Sequence, residues 1–443
     1  MAAILMEPFT RALVIESPHE NLDESLARAG MDVMRVDKIT SEKALISAMQ
    51  QSAAQVLFKR SRVPVTRAVV EACPDLFAIQ LCCIGDDSID KDACAERGIL
   101  VFNDPVSNGR SVVEMTVGHL IALSRRLYET DVATHLHRWE KSAVGRFEVL
   151  DKHLGIVGLG NIGRQVGRVA EALGMNVAFY DSRLVAQEVG DEMGWRQCET
   201  LQELFETSDL LTVHTSARDA WGKDNAGFLD DYLPMLGAAR PAGSPRVFLN
   251  LARGNVHSTD ALLRAVADRR IRRAAVDVYP DEPAPGQPSW VNPYGDEPRI
   301  SCTPHIGAAT QEAQPRIARR VATTIGNFSQ YGALRDCVFS PRAKLNLGET
   351  VRGRAVLAVV HSTARGTKKA VDDAIYEAEA SNLGSTHRDF DIGVAYDVSV
   401  LDRPLERAEL RRLIERAAEI SGDPDAIRAI RQIEVPRGGF RQV

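Results

Sequence analysis

Apolar and polar positions along the chain follow two alternating spacings. Short apolar runs such as RALVIES (11–17) and ILVFN (99–103) predict buried strands. Segments of helical period lie between such runs, for example HENLDESLARAG (19–30), which ends on a glycine. Strands that alternate with helices of about ten residues predict a parallel sheet with right-handed crossover connections.

The same kind of pattern divides the rest of the chain into two further regions. A second α/β stretch runs from His153 to Pro304, and the helix SVVEMTVGHLIALSRR precedes it. Ser111 and Glu114 predict a capping box at the start of that helix. From Ala355 the order becomes strand, helix, strand, strand, helix, strand, which is typical of a small ferredoxin-like unit.

Composition and charge exclude several classes of function. A net charge of −6 and a pI near 6.0 argue against broad nucleic-acid binding, although a small basic pocket for an anionic metabolite remains compatible. The seven cysteines form no CxxC motif and no cluster with histidine, so we expect reduced thiols and no metal site. Glu7 and Pro8 interrupt the first apolar residues, so we predict a cytoplasmic protein without a membrane segment.

The stretch HLGIVGLGNIGRQVGRVAEALGMNVAFYD predicts a dinucleotide site. A strand leads into Gly158, Gly160 and Gly163, a helix follows, and the next strand ends at Asp181. The three glycines permit a tight turn, close approach of a pyrophosphate, and close packing of helix on strand. Asp181 would accept hydrogen bonds from the adenosine ribose, which favours NAD over NADP, although Arg183 beside it is compatible with a 2′-phosphate.

Three later motifs each place a polar residue just after a predicted parallel strand, where open α/β sheets bind ligands. Arg253 follows VFLNLA, Glu282 follows AAVDVYPD, and His305 lies in ISCTPHIGAAT. Arg253 offers a planar fork for a carboxylate, and Glu282 could orient His305 as a base. Taken singly, each residue is at least as compatible with a structural role. Together, behind a dinucleotide turn, they favour catalysis.

These motifs together resemble the D-isomer-specific 2-hydroxyacid dehydrogenases, over residues 10–342. The resemblance implies that Arg253, Glu282 and His305 are catalytic and that the cofactor is NAD. It also implies a Rossmann-type nucleotide-binding domain inserted in a flavodoxin-like substrate-binding domain. The implied domains are 1–107 with 310–342 for substrate, 108–309 for NAD, and 353–443 for the ferredoxin-like C-terminal part.

The resemblance further implies two sets of binding residues. The cofactor set surrounds the glycine turn and the strand ends: Gly158, Gly160, Asn161, Ile162, Gly163, Asp181, His214, Thr215, Ala252, Asp277 and Gly307. The substrate set lies in three loops and one helix start: Arg60, Ser61, Arg62, Cys83, Ile84, Gly85, Asn108 and Lys141. The family's usual serine before the catalytic arginine is Ala252 in this chain.

The stretches RSR (60–62), CCIGDDSID (82–90) and TPHIGAATQEAQ (303–314) are similar to the branch of that family that oxidises 3-phospho-D-glycerate. That similarity implies NAD-dependent formation of 3-phosphohydroxypyruvate, the first step of L-serine biosynthesis. Two guanidinium groups at a strand end suit a phosphate, although a solvated loop is an equal interpretation of the residues alone. Two alternatives stay open: another D-2-hydroxy acid (glyoxylate, D-lactate or 2-hydroxyglutarate), or an NAD-sensing corepressor without catalysis.

The C-terminal region resembles an ACT regulatory domain. His361, Gly366 and Asn382 match its pattern, whereas Thr363 and Arg365 depart from it. The resemblance implies L-serine or another amino acid as effector, and the two departures favour a module that only joins subunits. We therefore expect a homo-oligomer, a dimer or a homotetramer, with a small-molecule substrate and neither nucleic acid nor membrane as partner.

Overall fold

The computed structural model describes residues 2–218, 223–283, 289–295, 297–340, 344–390 and 392–440. The strands are β1 (Ala3–Leu5), β2 (Arg11–Ile15), β3 (Asp32–Val36), β4 (Val56–Lys59), β5 (Ala78–Leu81), β6 (Leu100–Phe102), β7 (His153–Val157), β8 (Asn176–Tyr180), β9 (Arg196–Gln197), β10 (Leu210–Val213), β11 (Val247–Asn250), β12 (Arg273–Val276), β13 (Ile300–Cys302), β14 (Ala355–Ser362), β15 (Asn382–Asp389), β16 (Val394–Leu401) and β17 (Ile427–Glu434). The helices are α1 (Asn21–Arg28), α2 (Glu42–Ser52), α3 (Arg67–Ala72), α4 (Lys91–Glu96), α5 (Gly109–Arg125), α6 (Leu127–His135), α7 (Asn161–Ala172), α8 (Leu184–Glu192), α9 (Leu201–Thr207), α10 (Thr259–Ala267), α11 (Ala313–Tyr331), α12 (Thr367–Glu377) and α13 (Arg407–Ser421). Short 3-10 helices span Leu233–Met235 and Gly348–Val351.

The chain divides into two compact units, Met1–Ser107 with Gln314–Val443, and Asn108–Ala313. The first unit holds a parallel sheet in the order β3-β2-β4-β5-β6, the flavodoxin-like arrangement that was predicted. Strands β4 and β5 are buried along their whole length, which explains their continuous apolar runs.

The second unit is built on a parallel sheet in the order β13-β12-β11-β10-β7-β8-β9. The order reverses between β7 and β10, the switch point at which doubly wound sheets bind their ligands. The glycine turn follows β7, and the predicted catalytic residues follow β11, β12 and β13. This arrangement confirms the predicted Rossmann-type fold.

A second sheet in the first unit has the order β1-β17-β14-β16-β15. Strands β14 to β17 with α12 and α13 reproduce the predicted order of strand, helix, strand, strand, helix, strand. The sequence analysis missed β1, which pairs in parallel with β17 because three apolar residues suffice to extend an open sheet edge. The assignment of this part to the ACT domains and the boundaries of three separate domains stay predictions.

The two sheets of the first unit share a core through α11. The Phe328 ring lies 4.8 Å from Phe102 and 6.3 Å from Tyr396, which belong to one sheet each. Arg431 is buried there, with its guanidinium 4.2 Å above the Phe9 ring and donating to the carbonyls of Phe328 and Ser329. The carbonyls and the ring faces compensate the cost of burying this cation.

The capping box expected at Ser111 and Glu114 is wrong. Helix α5 begins two residues earlier, at Gly109, and Asn108 is its N-cap residue without a side-chain cap. The Ser111 hydroxyl instead lies 3.0 Å from that of Thr310, and Glu114 pairs with Arg110 one turn earlier. Ser111 therefore joins the helix to the segment after His305, although the same spacing of residues is also typical of a helix start.

Candidate active site

The glycine turn after β7 has the backbone that a nucleotide phosphate needs. Gly158 has φ +92°, and a Cβ on it would lie 2.7 Å from the carbonyl oxygen of His214. At Gly163 a Cβ would lie 2.3 Å from the Gly158 carbonyl oxygen, so only glycine lets α7 pack this closely. At Gly160 a Cβ would meet no atom nearer than 3.9 Å, which leaves room for a phosphate at the first turn of α7.

Asp181 lies just past β8 and is almost fully buried. Its carboxylate accepts from the Leu159 N–H at 2.8 Å and from both the Nε and Nη2 of Arg183 at 2.9 and 2.6 Å. Burial raises the pKa of Asp181, but the hydrogen bonds and charge of Arg183 outweigh it and hold the pKa below its usual value. The acid expected at the ribose is therefore ionised and already paired with an arginine.

The segment directly after β10 adds two more residues of the predicted cofactor set. Desolvation lowers the pKa of His214 to about 3, so its ring stays neutral. The Thr215 hydroxyl is buried without a hydrogen-bond partner in the described chain, and its methyl group would lie 3.0 Å from a Cβ on Gly158. An unpaired buried hydroxyl beside the glycine turn fits a site that a polar cofactor completes.

Two other residues of the set, Asn161 and Ile162, open α7. The Asn161 amide lies near the start of α5, since a Cβ on Gly109 would be 3.0 Å from its Nδ2. Ile162 packs against the apolar core below the turn. Their side chains thus hold the helix in place, while their position at its N-terminus leaves backbone N–H groups for a phosphate.

Arg253 is held by a tight turn after β11. The side-chain amide of Asn250 donates to the Arg253 carbonyl at 2.9 Å and its oxygen accepts from the Ala252 N–H at 3.0 Å. The guanidinium in turn donates to the Ala252 carbonyl at 2.9 Å. A Cβ on Gly254 would lie 2.1 Å from the Tyr279 carbonyl, so glycine is what allows this turn to meet the Glu282 turn.

Glu282 and His305 are in direct contact, with Oε2 and Nδ1 2.8 Å apart. Burial raises the pKa of Glu282, but the hydrogen bond and charge of His305, the Tyr279 N–H and the charge of Arg253 together bring it below its usual value. An ionised carboxylate only accepts, so Nδ1 carries a proton and Nε2 keeps its lone pair in the neutral ring. This is the arrangement of a base oriented by an acid.

His305 has φ +51°, a left-handed conformation that costs about 1–2 kcal/mol outside glycine. Asp277, buried after β12, compensates by holding the surrounding loop. Its carboxylate accepts from the Thr303 hydroxyl at 2.6 Å and from the N–H groups of Ile306 and Gly307 at 2.9 and 2.8 Å. Asp277 and Gly307 were assigned to the cofactor. In the structure they also fix the loop that carries the histidine.

Besides His214 and His305, which were predicted, this unit holds a buried histidine that the sequence analysis did not single out. His119 is buried on α5, and its Nδ1 lies 2.9 Å from the Tyr128 hydroxyl. Burial lowers the pKa of His119, against the opposing charge of Asp277. A histidine on an apolar helix face gives no signal by itself, because buried structural histidines are just as common there.

Tyr279 and Trp290 form a wall beyond Glu282. Their rings meet edge to face at 4.7 Å, and the Tyr279 hydroxyl donates to the Thr303 carbonyl at 3.0 Å. A cavity of about 580 Å³ lies against this wall and the Glu282 turn. His305 does not line this cavity.

The remaining predicted residues of this unit lie at its start and in an exposed loop. Asn108 is buried, and its Oδ1 has no hydrogen-bond partner among the described residues, as expected of a group that awaits a ligand. Lys141 is exposed and lines a small pocket with Arg146. The structure therefore does not bring Lys141 to the glycine turn or to His305.

In the first unit, Arg60, Ser61 and Arg62 follow β4. Arg60 is half-buried and the next two residues are exposed. Lys59, which the sequence analysis missed, is fully buried behind them and donates to the Arg60 carbonyl at 2.6 Å and to the Ser88 hydroxyl at 2.7 Å. Desolvation lowers the pKa of Lys59. The sequence did offer a signal for Lys59, because a lysine at the end of an otherwise apolar strand is unusual.

The loop of Cys83, Ile84 and Gly85 follows the neighbouring strand β5 and is half-buried. The Cys83 carbonyl accepts from the Asp104 N–H at 3.0 Å, and the Ile84 carbonyl accepts from the Asn103 amide at 2.7 Å. Strands β4 and β5 are neighbours, so the two predicted substrate loops of this unit lie at one edge of its parallel sheet.

Comparison with known proteins identifies the family. Residues 117–307 match the NAD binding domain of the D-isomer specific 2-hydroxyacid dehydrogenases. The chain is 32% identical over 398 residues to D-3-phosphoglycerate dehydrogenase of Escherichia coli (strain K12), covering 90% of this chain and 92% of that protein. The chain belongs to the D-isomer specific 2-hydroxyacid dehydrogenase family. This 2-hydroxyacid dehydrogenase is an NAD-dependent oxidoreductase, as predicted.

Two further likenesses agree with this result. The 2-hydroxyacid dehydrogenase is 30% identical over 433 residues to D-3-phosphoglycerate dehydrogenase 1 of Saccharomyces cerevisiae, covering 94% of this chain and 88% of that protein. A solved glyoxylate reductase from Paecilomyes thermophila has a TM-score of 0.64 at 24% identity, covering 75% of this chain and 98% of that chain. The latter likeness supports the fold alone. The described residues include no helix that is both long and apolar enough to span a membrane.

Proposed function

We propose that this dehydrogenase oxidises the C2 hydroxyl of 3-phospho-D-glycerate to the ketone of 3-phosphohydroxypyruvate, and so catalyses the first step of L-serine biosynthesis. The 2.8 Å contact between Glu282 and His305 is the observation that carries the chemistry. The identity of 30–33% to D-3-phosphoglycerate dehydrogenases over most of the chain supports the choice of substrate.

His305 takes the proton of the C2 hydroxyl on Nε2. As the O–H bond breaks, the C–H bond of C2 breaks as well and a carbonyl forms. The ring becomes an imidazolium, and the Glu282 carboxylate stabilises that charge through Nδ1–H. Since the pKa of Glu282 is held below its usual value, the carboxylate is ionised when the charge on the ring develops.

Arg253 holds the substrate carboxylate and polarises the C2 oxygen. Its guanidinium is half-buried and tied to its own turn by the Ala252 carbonyl, so its position is restricted before substrate arrives. A planar cation with a fork of donors suits a carboxylate next to a developing carbonyl. The close approach at Gly254 keeps this arginine beside the turn of Glu282.

The NAD site is formed by the glycine turn, Asp181 and Thr215. When bound, NAD accepts the hydride that leaves C2. The first turn of α7 holds the pyrophosphate, and Asp181 faces the ribose once its contacts with Arg183 rearrange. The buried hydroxyl of Thr215 and the room above Gly160 are the features of this unit that fit the cofactor. We further propose a preference for NAD over NADP.

Arg60 and Arg62 bind the substrate phosphate, and the exposed Lys141 adds positive charge from a neighbouring subunit. Cys83, Ile84 and Gly85 contact the substrate through their backbone. The buried Lys59 behind Arg60 supports this proposal, because it fixes the carbonyl of the phosphate-binding arginine. The protein works in the cytoplasm as a dimer or tetramer, and its C-terminal domain joins subunits, since Thr363 and Arg365 depart from the pattern of an effector site.

Substrate-dependent NADH formation tests the proposed substrate. The purified enzyme should reduce NAD with 3-phospho-D-glycerate and much more slowly with D-lactate, glycolate or 2-hydroxyglutarate. Arg62→Gln should raise KM for the phosphorylated acid and leave the residual rate with D-lactate unchanged. Activity with none of these acids would support a corepressor instead.

Replacement of the base tests the catalytic assignment. His305→Ala should lower kcat by at least ~10²-fold and leave NADH binding intact, because the ring handles a proton and does not hold the dinucleotide. His135→Ala, at an exposed histidine on α6, is the control and should keep full activity. Near-normal turnover by His305→Ala would contradict the mechanism.

A further inference from the structure

Three titratable side chains meet on the C-terminal sheet of the first unit, whereas the residues assigned to catalysis belong to the second unit. His361 on β14, His387 on β15 and Asp397 on β16 place one ligand atom each within 4.8 Å of one another. Nε2 of His361 lies 2.8 Å from Oδ2 of Asp397, and Nδ1 of His387 lies 2.9 Å from Oδ1 of the same residue. His361 and Asp397 are buried.

The strand register explains why these residues meet. Strand β16 lies between β14 and β15, and Asp397 is directly opposite His387 on one side and Val359 on the other. His361 is two residues along from Val359 and therefore points to the same face of the sheet. That face is the one covered by α12 and α13.

Hydrogen-bond accounting shows that this cluster needs two positive charges. Nδ1 of His361 lies 2.7 Å from the Ser362 carbonyl, and Nε2 of His387 lies 2.9 Å from Asp389. A neutral imidazole has one N–H, so a neutral His361 donates it to the Ser362 carbonyl and a neutral His387 donates it to Asp389. The nitrogens that face Asp397 would then have lone pairs directed at a carboxylate, which is repulsive. Two extra protons or one divalent cation remove that repulsion.

We propose that His361, His387 and Asp397 bind a divalent transition-metal ion of the Zn²⁺ type. Two imidazole nitrogens and a carboxylate oxygen are a typical donor set for such an ion, with water as the fourth ligand. Ser362 and Asp389 accept the other N–H of each ring, as outer partners of metal-bound histidines do.

The cluster needs little rearrangement to take the ion. Ligand atoms around tetrahedral Zn²⁺ are about 3.3 Å apart, given metal–ligand bonds of about 2.0 Å. The contacts of 2.8 and 2.9 Å to the two Asp397 oxygens must therefore open by about 0.5 Å, and the ligand atoms, now within 4.8 Å of one another, must close to that spacing. Lys368 is the competing cation, with Nζ 3.9 Å from Oδ1 of Asp397. It is already paired with Asp372 at 2.7 Å and is partly exposed, so it can move away.

The sequence analysis predicted no metal site, because short ligand spacings are absent. Here the two histidines are separated by the whole of α12 and the first part of β15, and only the β register brings them together. The ion would join three strands of the sheet. It would use His361, which the ACT resemblance also assigns to effector binding.

Zinc titration of the full-length protein tests the site. The chain is stripped with EDTA, dialysed into metal-free buffer and titrated with ZnCl₂ by calorimetry, and Co²⁺ is used in parallel for its visible absorption. We expect one tight site per chain with the absorption of tetrahedral Co²⁺. His387→Gln and Asp397→Asn should weaken Zn²⁺ binding by at least about 100-fold, and Asp389→Asn by about 10-fold.

Controls separate ligand loss from unfolding and from surface binding. Asp389 is 71% exposed, so Asp389→Asn should fold normally even if Asp397→Asn does not. His135→Gln removes an exposed histidine that lies 3.6 Å from an aspartate and should bind Zn²⁺ like the wild type. Absence of a tight site in the wild type would overturn the proposal. Equal affinity in wild type, His387→Gln and Asp389→Asn would overturn it as well.

Discussion

Replacing Glu282 by Gln measures how much of the rate depends on the carboxylate beside His305. In the imidazolium state the two charges would be 2.8 Å apart. Coulomb's law gives about 6 kcal/mol at a dielectric constant of about 20 and about 1.5 kcal/mol at about 80. The His305 and Glu282 side chains are 50% and 37% exposed, so solvent screening keeps the effect near the lower figure, about 1.5–3 kcal/mol. Glu282→Gln should therefore lower kcat by about 10- to 150-fold.

The assay is steady-state NADH formation at saturating NAD and 3-phospho-D-glycerate, with NADH affinity measured by fluorescence. The affinity for NADH should not change, because Glu282 stabilises the charge on the His305 imidazole and does not hold the cofactor. Glu297→Gln is the matched control: its carboxylate lies 2.7 Å from Arg299, outside the catalytic cluster, and kcat should be unaffected. A fall in kcat of less than about 3-fold, or an equal fall in the control, would refute the reasoning.

Three more changes test the second unit. Gly163→Ala places a methyl group 2.3 Å from the Gly158 carbonyl and should cost about 1–3 kcal/mol of stability and weaken NADH binding, as checked by thermal unfolding and fluorescence titration. Arg183→Ala removes the cation best placed for a 2′-phosphate and should raise the kcat/KM ratio of NAD to NADP by about 10-fold; an unchanged ratio would exclude that role. Burial raises the pKa of Glu129, but the contact with Arg273 at 2.6 Å helps bring that pKa below 4.5. The ionised carboxylate therefore stabilises the folded protein above pH 4.5, and this stabilisation is lost as the pH falls through the lowered pKa. Glu129→Gln should thus lower the urea unfolding free energy by about 1–3 kcal/mol at pH 7 and by less at pH 3.

The sequence predicted those parts of the site that depend on neighbours along the chain. The glycine turn is such a part, because strand, three glycines and helix must follow one another for the packing at Gly163 to arise. The strand-end positions of Arg253, Glu282 and His305 were predictable for a similar reason, since parallel strands bring their carboxyl ends to one edge. The expected contact between Glu282 and His305 is present in the structure at 2.8 Å.

Other features were beyond prediction because they depend on partners far away in the chain. The role of Ser111 depends on Thr310, and that of Asp277 on the loop of His305. The pairing of Asp181 with Arg183 is local, yet the sequence does not say whether an arginine beside an acid points toward it or into solvent. Burial of Lys59 likewise depends on how the surrounding loops close over it.

The parallel pairing of β1 with β17 has a consequence for the order of events during synthesis. Strand β1 is synthesised long before its partner, Ile427–Glu434, because the two lie more than four hundred residues apart in the chain. Asn108–Ala313 has emerged completely more than a hundred residues earlier, so at about 5–20 residues per second it has on the order of ten seconds to fold alone. The nucleotide-binding unit can therefore form on the nascent chain, whereas the β1 edge of the C-terminal sheet must wait until β17 has been synthesised. A bulky group attached next to β1 should interfere with that pairing.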